Sequence, residues 1–302
     1  MNKLIFSFII GLVGLTVTAF AETYWGGELP NIGETTLKTE MALTDGIYTY
    51  WYTITSGQTN TGQIWLFDID ITKPEGSVEL SSEGLVNGPG YARHSSALIL
   101  SKPTTPKMIP VGLFSPPNWN SGVSVRGQCG WGANDDQYMI FPGYTLSGFQ
   151  ITSRGLPGLR DFIIEPDIVP PSEEGEITGE QIKATRDNVA FKGKTLGPTA
   201  PPAQFVALDF LSYLIELKHQ AGTLGWITNK GAENSLDVKL DQVKKKLEAG
   251  EPKAAANVLA AFLNEVNAQG CATHDGCPSG KHLRPEAWAL LKFNAEYLRS
   301  QL

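Results

Sequence analysis

The sequence predicts a chain of two unlike parts, all-β then all-α: an antiparallel β-sandwich followed by an antiparallel four-helix bundle. Three observations carry this. Between residues 24 and 167, short apolar runs alternate with Gly, Pro, Asn and Ser. Between residues 168 and 204, proline and acidic residues interrupt any pattern. Beyond Pro202 the apolar residues recur at helical spacing.

The first segment reads as an export leader. Met1-Asn2-Lys3 supplies a positive start, residues 4–18 are almost unbroken apolar, and Ala19-Phe20-Ala21 offers small residues at a cleavage site. A membrane anchor would need roughly 20 apolar residues, so cleavage after Ala21 is expected, with residues 1–21 removed. No Cys lies near that point to anchor a lipid, and no later segment is long and apolar enough to span a bilayer. The expected location is therefore secreted or periplasmic. The chain carries 24 basic and 31 acidic side chains, and losing Lys3 with the leader makes it more acidic still. Such a surface repels phosphate backbones, which argues against nucleic acid as a partner.

Within residues 22–167 the clearest strand is Ile47-Tyr48-Thr49-Tyr50-Trp51-Tyr52-Thr53-Ile54, β-branched and aromatic, bounded by Asp45-Gly46 and Ser56-Gly57. Period-two alternation places Tyr48, Tyr50, Tyr52 and Ile54 on one face and Thr49, Trp51 and Thr53 on the other. A second strand is expected over 63–72, and further ones over 77–80, 97–100, 108–113, 123–127, 138–141, 146–152 and 160–165. Short strands at this spacing, without helical stretches between them, predict a sandwich, with an antiparallel barrel as the alternative. Residues 168–204, with Pro170, Pro171, Pro198, Pro201 and Pro202, read as a largely extended linker holding a helical turn or two over 180–190.

Residues 205–302 carry four amphipathic series: Leu208, Leu211, Ile215; Leu236, Leu240, Val243, Leu247; Ala255, Leu259, Phe262, Val266; and Trp288, Leu291, Ala295, Leu298. Gly222 and Gly250 stand at expected helix ends, and Pro252 and Pro285 at first-turn positions. Short connections between four such helices predict an antiparallel bundle.

Several elements of this part arrive in a recognisable order: Gly225-Trp226-Ile227-Thr228-Asn229-Lys230-Gly231, Asn234-Ser235-Leu236, Lys239-Leu240, Ala261-Phe262-Leu263 and Gly280-Lys281 before an Ala- and Leu-rich last helix. Together they resemble the FIMAH domain, a small helical module of secreted and surface-associated bacterial proteins. The resemblance implies an accessory or binding role and brings no catalytic residues. The chain departs from the usual pattern by inserting residues 271–277 before Gly280-Lys281.

Cys271 and Cys277 lie in that insertion. In an oxidising compartment they are expected to form a disulfide closing a short loop. The alternative is a metal site, because Cys271, His274, Cys277 and His282 could enclose zinc within twelve residues, although the spacing matches no familiar zinc motif. Cys129, between Gly127 and Gly130-Trp131-Gly132, reads as a buried thiol packing as a small apolar residue. A nucleophilic role would need a base, and His94 is the only histidine in the β part.

Other catalytic patterns are absent from the sequence: no Gly-x-Ser-x-Gly, no His-Glu-x-x-His and no phosphate-cradling loop. Asp68 and Asp70 share one strand face, and a carboxylate pair could serve glycoside hydrolysis, though such pairs are commonplace on strand surfaces. Asn134-Asp135-Asp136 is oxygen-rich enough for calcium but reads more simply as a solvated turn. Aromatic side chains are concentrated in the β part. Strand aromatics such as Tyr50 and Trp65 suit a core, whereas Trp119, after Pro116-Pro117-Asn118, and Trp131, in a Gly-rich stretch, are the candidates for ligand contact from loops. The expectation is a non-enzymatic protein without a cofactor, binding a polysaccharide or a protein at a cell surface. The alternatives are a carbohydrate-binding module using Trp119 and Trp131, an enzyme of unrecognised type, and a scaffold component assembled by the bundle.

Overall fold

A computed structural model of the chain describes residues 29–71, 111–123, 128–168 and 179–302. The leader, His94 and the strands expected over 77–80 and 97–100 lie outside the described residues.

Among the described residues nine strands form two antiparallel sheets. The first has the order β1-β2-β7-β4, built from β1 (Thr36–Thr44), β2 (Ile47–Thr55), β7 (Thr145–Ser153) and β4 (Val111–Phe114). The second has the order β5-β6-β3-β8-β9, from β5 (Trp119–Val123), β6 (Gln128–Ala133), β3 (Ile64–Asp70), β8 (Leu156–Pro166) and β9 (Phe191–Thr199). The alternation in β2 holds as the sequence predicts. Tyr48, Tyr50, Tyr52 and Ile54 are buried, while Trp51 is 40% exposed on the opposite face. Asp45 and Gly46, at φ 51° and 75°, close the β1–β2 hairpin with both turn residues left-handed, matching the twist of the flanking strands. Opposite the register shift between Tyr52 and Thr53, Gly148 adopts φ 105° and lets β7 bulge without a side-chain clash.

The two sheets meet through aromatic rings. Tyr52 and Phe149 of the first sheet pack against Phe67 of the second at centroid distances of 5.7 and 5.6 Å, and Phe67 stacks on Trp131 at 5.1 Å. Their polar atoms are satisfied inside: Tyr50 Oη donates to Gly155 O, Tyr52 Oη to Leu196 O and Trp131 Nε1 to Phe114 O. A ring of this size can be buried because its one donor finds a backbone acceptor. This is a sandwich, and the barrel alternative does not form.

The segment expected to be an extended linker holds two elements. Helix α1 (Gly179–Val189) packs against β8, and β9 pairs with β8 along its own whole length, from Leu156↔Thr199 to Ile164↔Phe191. Proline count misleads here: Pro198 sits on an edge strand, where a missing N–H costs no ladder bond, and Pro201 and Pro202 follow the strand. Of the other expected strands, 138–141 is instead a 3₁₀ turn (Asp136–Tyr138) with a single bridge, Ile64↔Ile140. Strands β1, β5, β6 and β9 are not among those read from the sequence.

The bundle consists of α2 (Ala207–Thr223), α3 (Lys230–Glu248), α4 (Pro252–Gln269) and α5 (Pro285–Ser300). Each helix packs on two others, α2 with α3 and α5, α4 with α3 and α5, which closes a four-helix ring. Its core includes Leu211, Leu236, Leu240, Phe262, Val266 and Leu298. Asn229 caps α3 by accepting the Ala232 N–H at 3.0 Å, and Pro252 and Pro285 occupy first-turn positions as predicted. Two details differ from the sequence reading. The buried stripe of α2 runs through Phe210, Leu211, Leu214 and Leu217, leaving Leu208 exposed, and the left-handed stop is Gly225 (φ 70°), with Gly222 inside the last turn.

Helix α5 has a second neighbour. Besides the bundle, it packs on β1, β8 and β9, so that Tyr48 and Phe293 meet edge-on at 5.3 Å and Asn294 Nδ2 donates to Pro157 O at 2.8 Å. That double contact is why α5 is buried through most of its circumference.

Candidate binding site

The outer face of the second sheet carries a concavity lined by charged side chains. On β3, Phe67 and Ile69 point into the core, so Asp68 and Asp70 point outward. The register places Asp68 beside Gly130 of β6, which in turn faces Gly122 of β5, and Asp70 beside Gln128. Glycines therefore floor part of the face, and the Asp68 carboxylate lies across Gly130 so closely that a Cβ there would collide with it. Next to this stretch a trough encloses about 440 Å³, lined by Asp68, Asp70, Gln128, Asp161, Lys192 and Lys194 together with Phe162, Ile163 and Gly193.

Helix α1 flanks the trough. Arg186 lies 5.3 Å from the Trp65 ring centroid and 4.0 Å from Glu165, while Lys192 reaches Asp187 at 3.2 Å. Lys194 pairs with Asp161 at 2.6 Å. Burial is the main cause that raises the Asp68 carboxyl to about 7, and the negative charge of Glu165 adds to it. Glu165 is itself raised by burial, with Arg186 opposing. A carboxyl titrating near neutrality can donate a hydrogen bond in one form and accept in the other. Beside carboxylates, an amide and two ammonium groups, it equips the trough to meet a ligand bearing many hydroxyl or amide groups.

The tryptophans singled out as loop platforms are elsewhere. Trp119 opens β5 and Trp131 lies in β6, and they are 4% and 1% exposed. Both are core residues that present no ring face to solvent. Strand alternation explains Trp131: in Cys129-Gly130-Trp131-Gly132 the glycines face outward, which turns Cys129 and Trp131 inward. Trp119 follows Asn118, whose left-handed φ of 64° redirects the chain, and its Nε1 donates to Tyr138 O at 2.9 Å. Exposed aromatics lie at other positions: Tyr144 at 68%, with Tyr138, Phe141 and Trp51.

Cys129 is fully buried, and burial drives its thiol far above the usual range. His94, its only candidate base, lies outside the described residues. In the oxygen-rich stretch, Asp135 accepts the Gln137 N–H at 3.2 Å and starts the exposed 3₁₀ turn.

Cys271 and Cys277 are joined in a disulfide. Their sulfurs therefore cannot serve as the thiolate ligands of the zinc alternative. His274 Nε2 points to Glu286 at 2.9 Å, and His282 is engaged through its backbone with Gln269 and Thr228. Among the described residues, no three His, Cys, Asp or Glu side chains converge as a metal site.

Comparison with known proteins bears on the helical half. No curated protein matches the chain. The family match begins inside α2 and ends at the last residue of α5, covering none of the β sheets: residues 211–300 are a FIMAH domain.

Proposed function

We propose that this is an exported, non-catalytic binding protein whose β sandwich contacts a hydroxyl-rich polymer at a cell surface, with the FIMAH domain as an accessory module packed against it. The observation that carries the reading is the trough on the outer face of the second sheet, which Asp68, Asp70, Gln128, Asp161, Lys192 and Lys194 line. Charged side chains beside Phe162 and Ile163 suit a ligand that offers both hydroxyl groups and C–H surface, as a sugar polymer does. Export rests on the leader-like residues 1–21, and the disulfide fits an oxidising compartment.

The experiment is retention of residues 22–302 on insoluble polysaccharides and cell-wall preparations. Retention competed by soluble fragments of one polymer supports the reading. Failure to bind any of them would turn the search to protein partners.

One observation favours a second reading. Asp68 titrates near 7, and Glu165 is also raised, as a general acid beside a second carboxyl would require. Release of reducing ends from a retained polymer, abolished by Asp68→Asn, would replace binding with hydrolysis as the function.

A further inference from the structure

The loop closed by Cys271 and Cys277 lies within the FIMAH domain, and it faces the β sandwich. Between the two cysteines, Ala272, Thr273, Asp275 and Gly276 are exposed, and only His274 turns inward. Its backbone N–H donates to Glu40 Oε1 on β1 at 2.6 Å, and its ring Nε2 donates to Glu286 Oε1 on α5 at 2.9 Å. The same Glu286 oxygen accepts the Thr39 N–H of β1 at 3.1 Å. One imidazole thus links a strand of the sandwich to a helix of the bundle.

Among the described residues β1 is an edge strand of the first sheet, with no strand there to bond its outward N–H groups. Glu286 supplies the missing acceptor at Thr39. It sits in the first turn of α5, where its negative charge is favoured by the helix dipole. Its position therefore couples the helix end to the strand edge.

We propose that the Cys271–Cys277 loop is a redox-sensitive latch between the two modules, which holds His274 between Glu40 and Glu286 while the disulfide is closed and releases the β1 edge from the bundle when it is opened. The short covalent ring limits the conformations open to His274, so placing the imidazole costs less chain entropy than in an open loop. Cys277 is exposed and Cys271 half-buried, which admits a small dithiol. In the opening reaction one thiolate of the dithiol attacks a protein sulfur. This forms a mixed disulfide and expels the other cysteine as thiolate. The second thiol then closes the reagent's own disulfide and expels the remaining cysteine. Two electrons pass from reagent to protein, and water protonates the thiolates.

The test is amide hydrogen exchange on the full chain, oxidised and treated with dithiothreitol, beside Cys271→Ser/Cys277→Ser and an oxidised His274→Ala variant. The latch predicts that Thr39 exchanges at least tenfold faster in the reduced protein and in both variants, while Leu240 and Phe262 in the bundle core keep their protection. Unchanged Thr39 exchange in His274→Ala overturns the proposal, and this variant decides alone should the double serine variant not fold. Equal loss of protection at Leu240 and Phe262 on reduction also overturns it, by making the disulfide a folding staple of the bundle.

Discussion

Glu286 on α5 accepts the backbone N–H of Thr39 on β1 at 3.1 Å, across 247 positions of sequence. The bond closes a sheet edge with a helix and makes the contact between the sandwich and the FIMAH domain a built one. It is joined there by His274 to Glu40 and Glu286, by Asn294 to Pro157 and by Phe293 against Tyr48.

Removing the acceptor should therefore be felt by the whole chain. Glu286→Ala leaves a buried N–H at Thr39 and an imidazole without its carboxylate. A loss of about 1–3 kcal/mol is expected, read as a lower denaturation midpoint. An unchanged midpoint would mean that the contact contributes nothing to stability.

Inside the bundle, Lys218 is fully buried and bonds Asp237 at 2.7 Å and Glu233 at 3.3 Å. Its ammonium ties the first two turns of α3 to α2. Lys218→Ala should cost about 1–3 kcal/mol, since Glu233 and Asp237 lose their buried partner but keep Lys230 and His219 beside them. Thermal unfolding followed by circular dichroism measures it.

Asp68 gives stability a pH dependence with a definite sign. Its folded-state value, about 7, lies above the unfolded value near 3.9. The folded state thus holds the proton more tightly. This contribution is fully present below about pH 4 and is lost as pH rises through about 7. Comparing Asp68→Asn with the unsubstituted protein by urea titration should show that the variant lacks this decline. Parallel curves between pH 4 and 8 would contradict the assignment.

Trp131 is predicted to matter for folding and not for contact with a ligand. Trp131→Ala should cost about 3–5 kcal/mol through loss of a large core side chain, whereas Tyr144→Ala, at an exposed position, should leave the melting temperature within a degree or two.

The bundle was legible because each helix repeats its apolar residues over several turns, and Pro252 and Pro285 mark two of its starts. The strand at Ile47–Thr55 was legible for the same reason, with aromatic alternation in place of helical spacing. The trough was only half legible. Asp68 and Asp70 declare a shared face by their spacing, but their neighbours Gln128, Lys192 and Lys194 arrive from strands whose sequences, QCGWGA and FKGKTLGPT, are rich in glycine and weak in apolar pattern. Gly130-Trp131-Gly132 read as a loop because glycine is common in loops. In the fold the glycines face outward so that Trp131 can face in.

The most direct test of the trough as the binding surface is the affinity of Asp68→Ala/Asp161→Ala for a polysaccharide that retains residues 22–302, measured beside a melting curve for each protein. At least tenfold weaker binding is expected, with the cooperative melt preserved. Undiminished affinity in a folded variant would contradict it and move the binding surface off the second sheet.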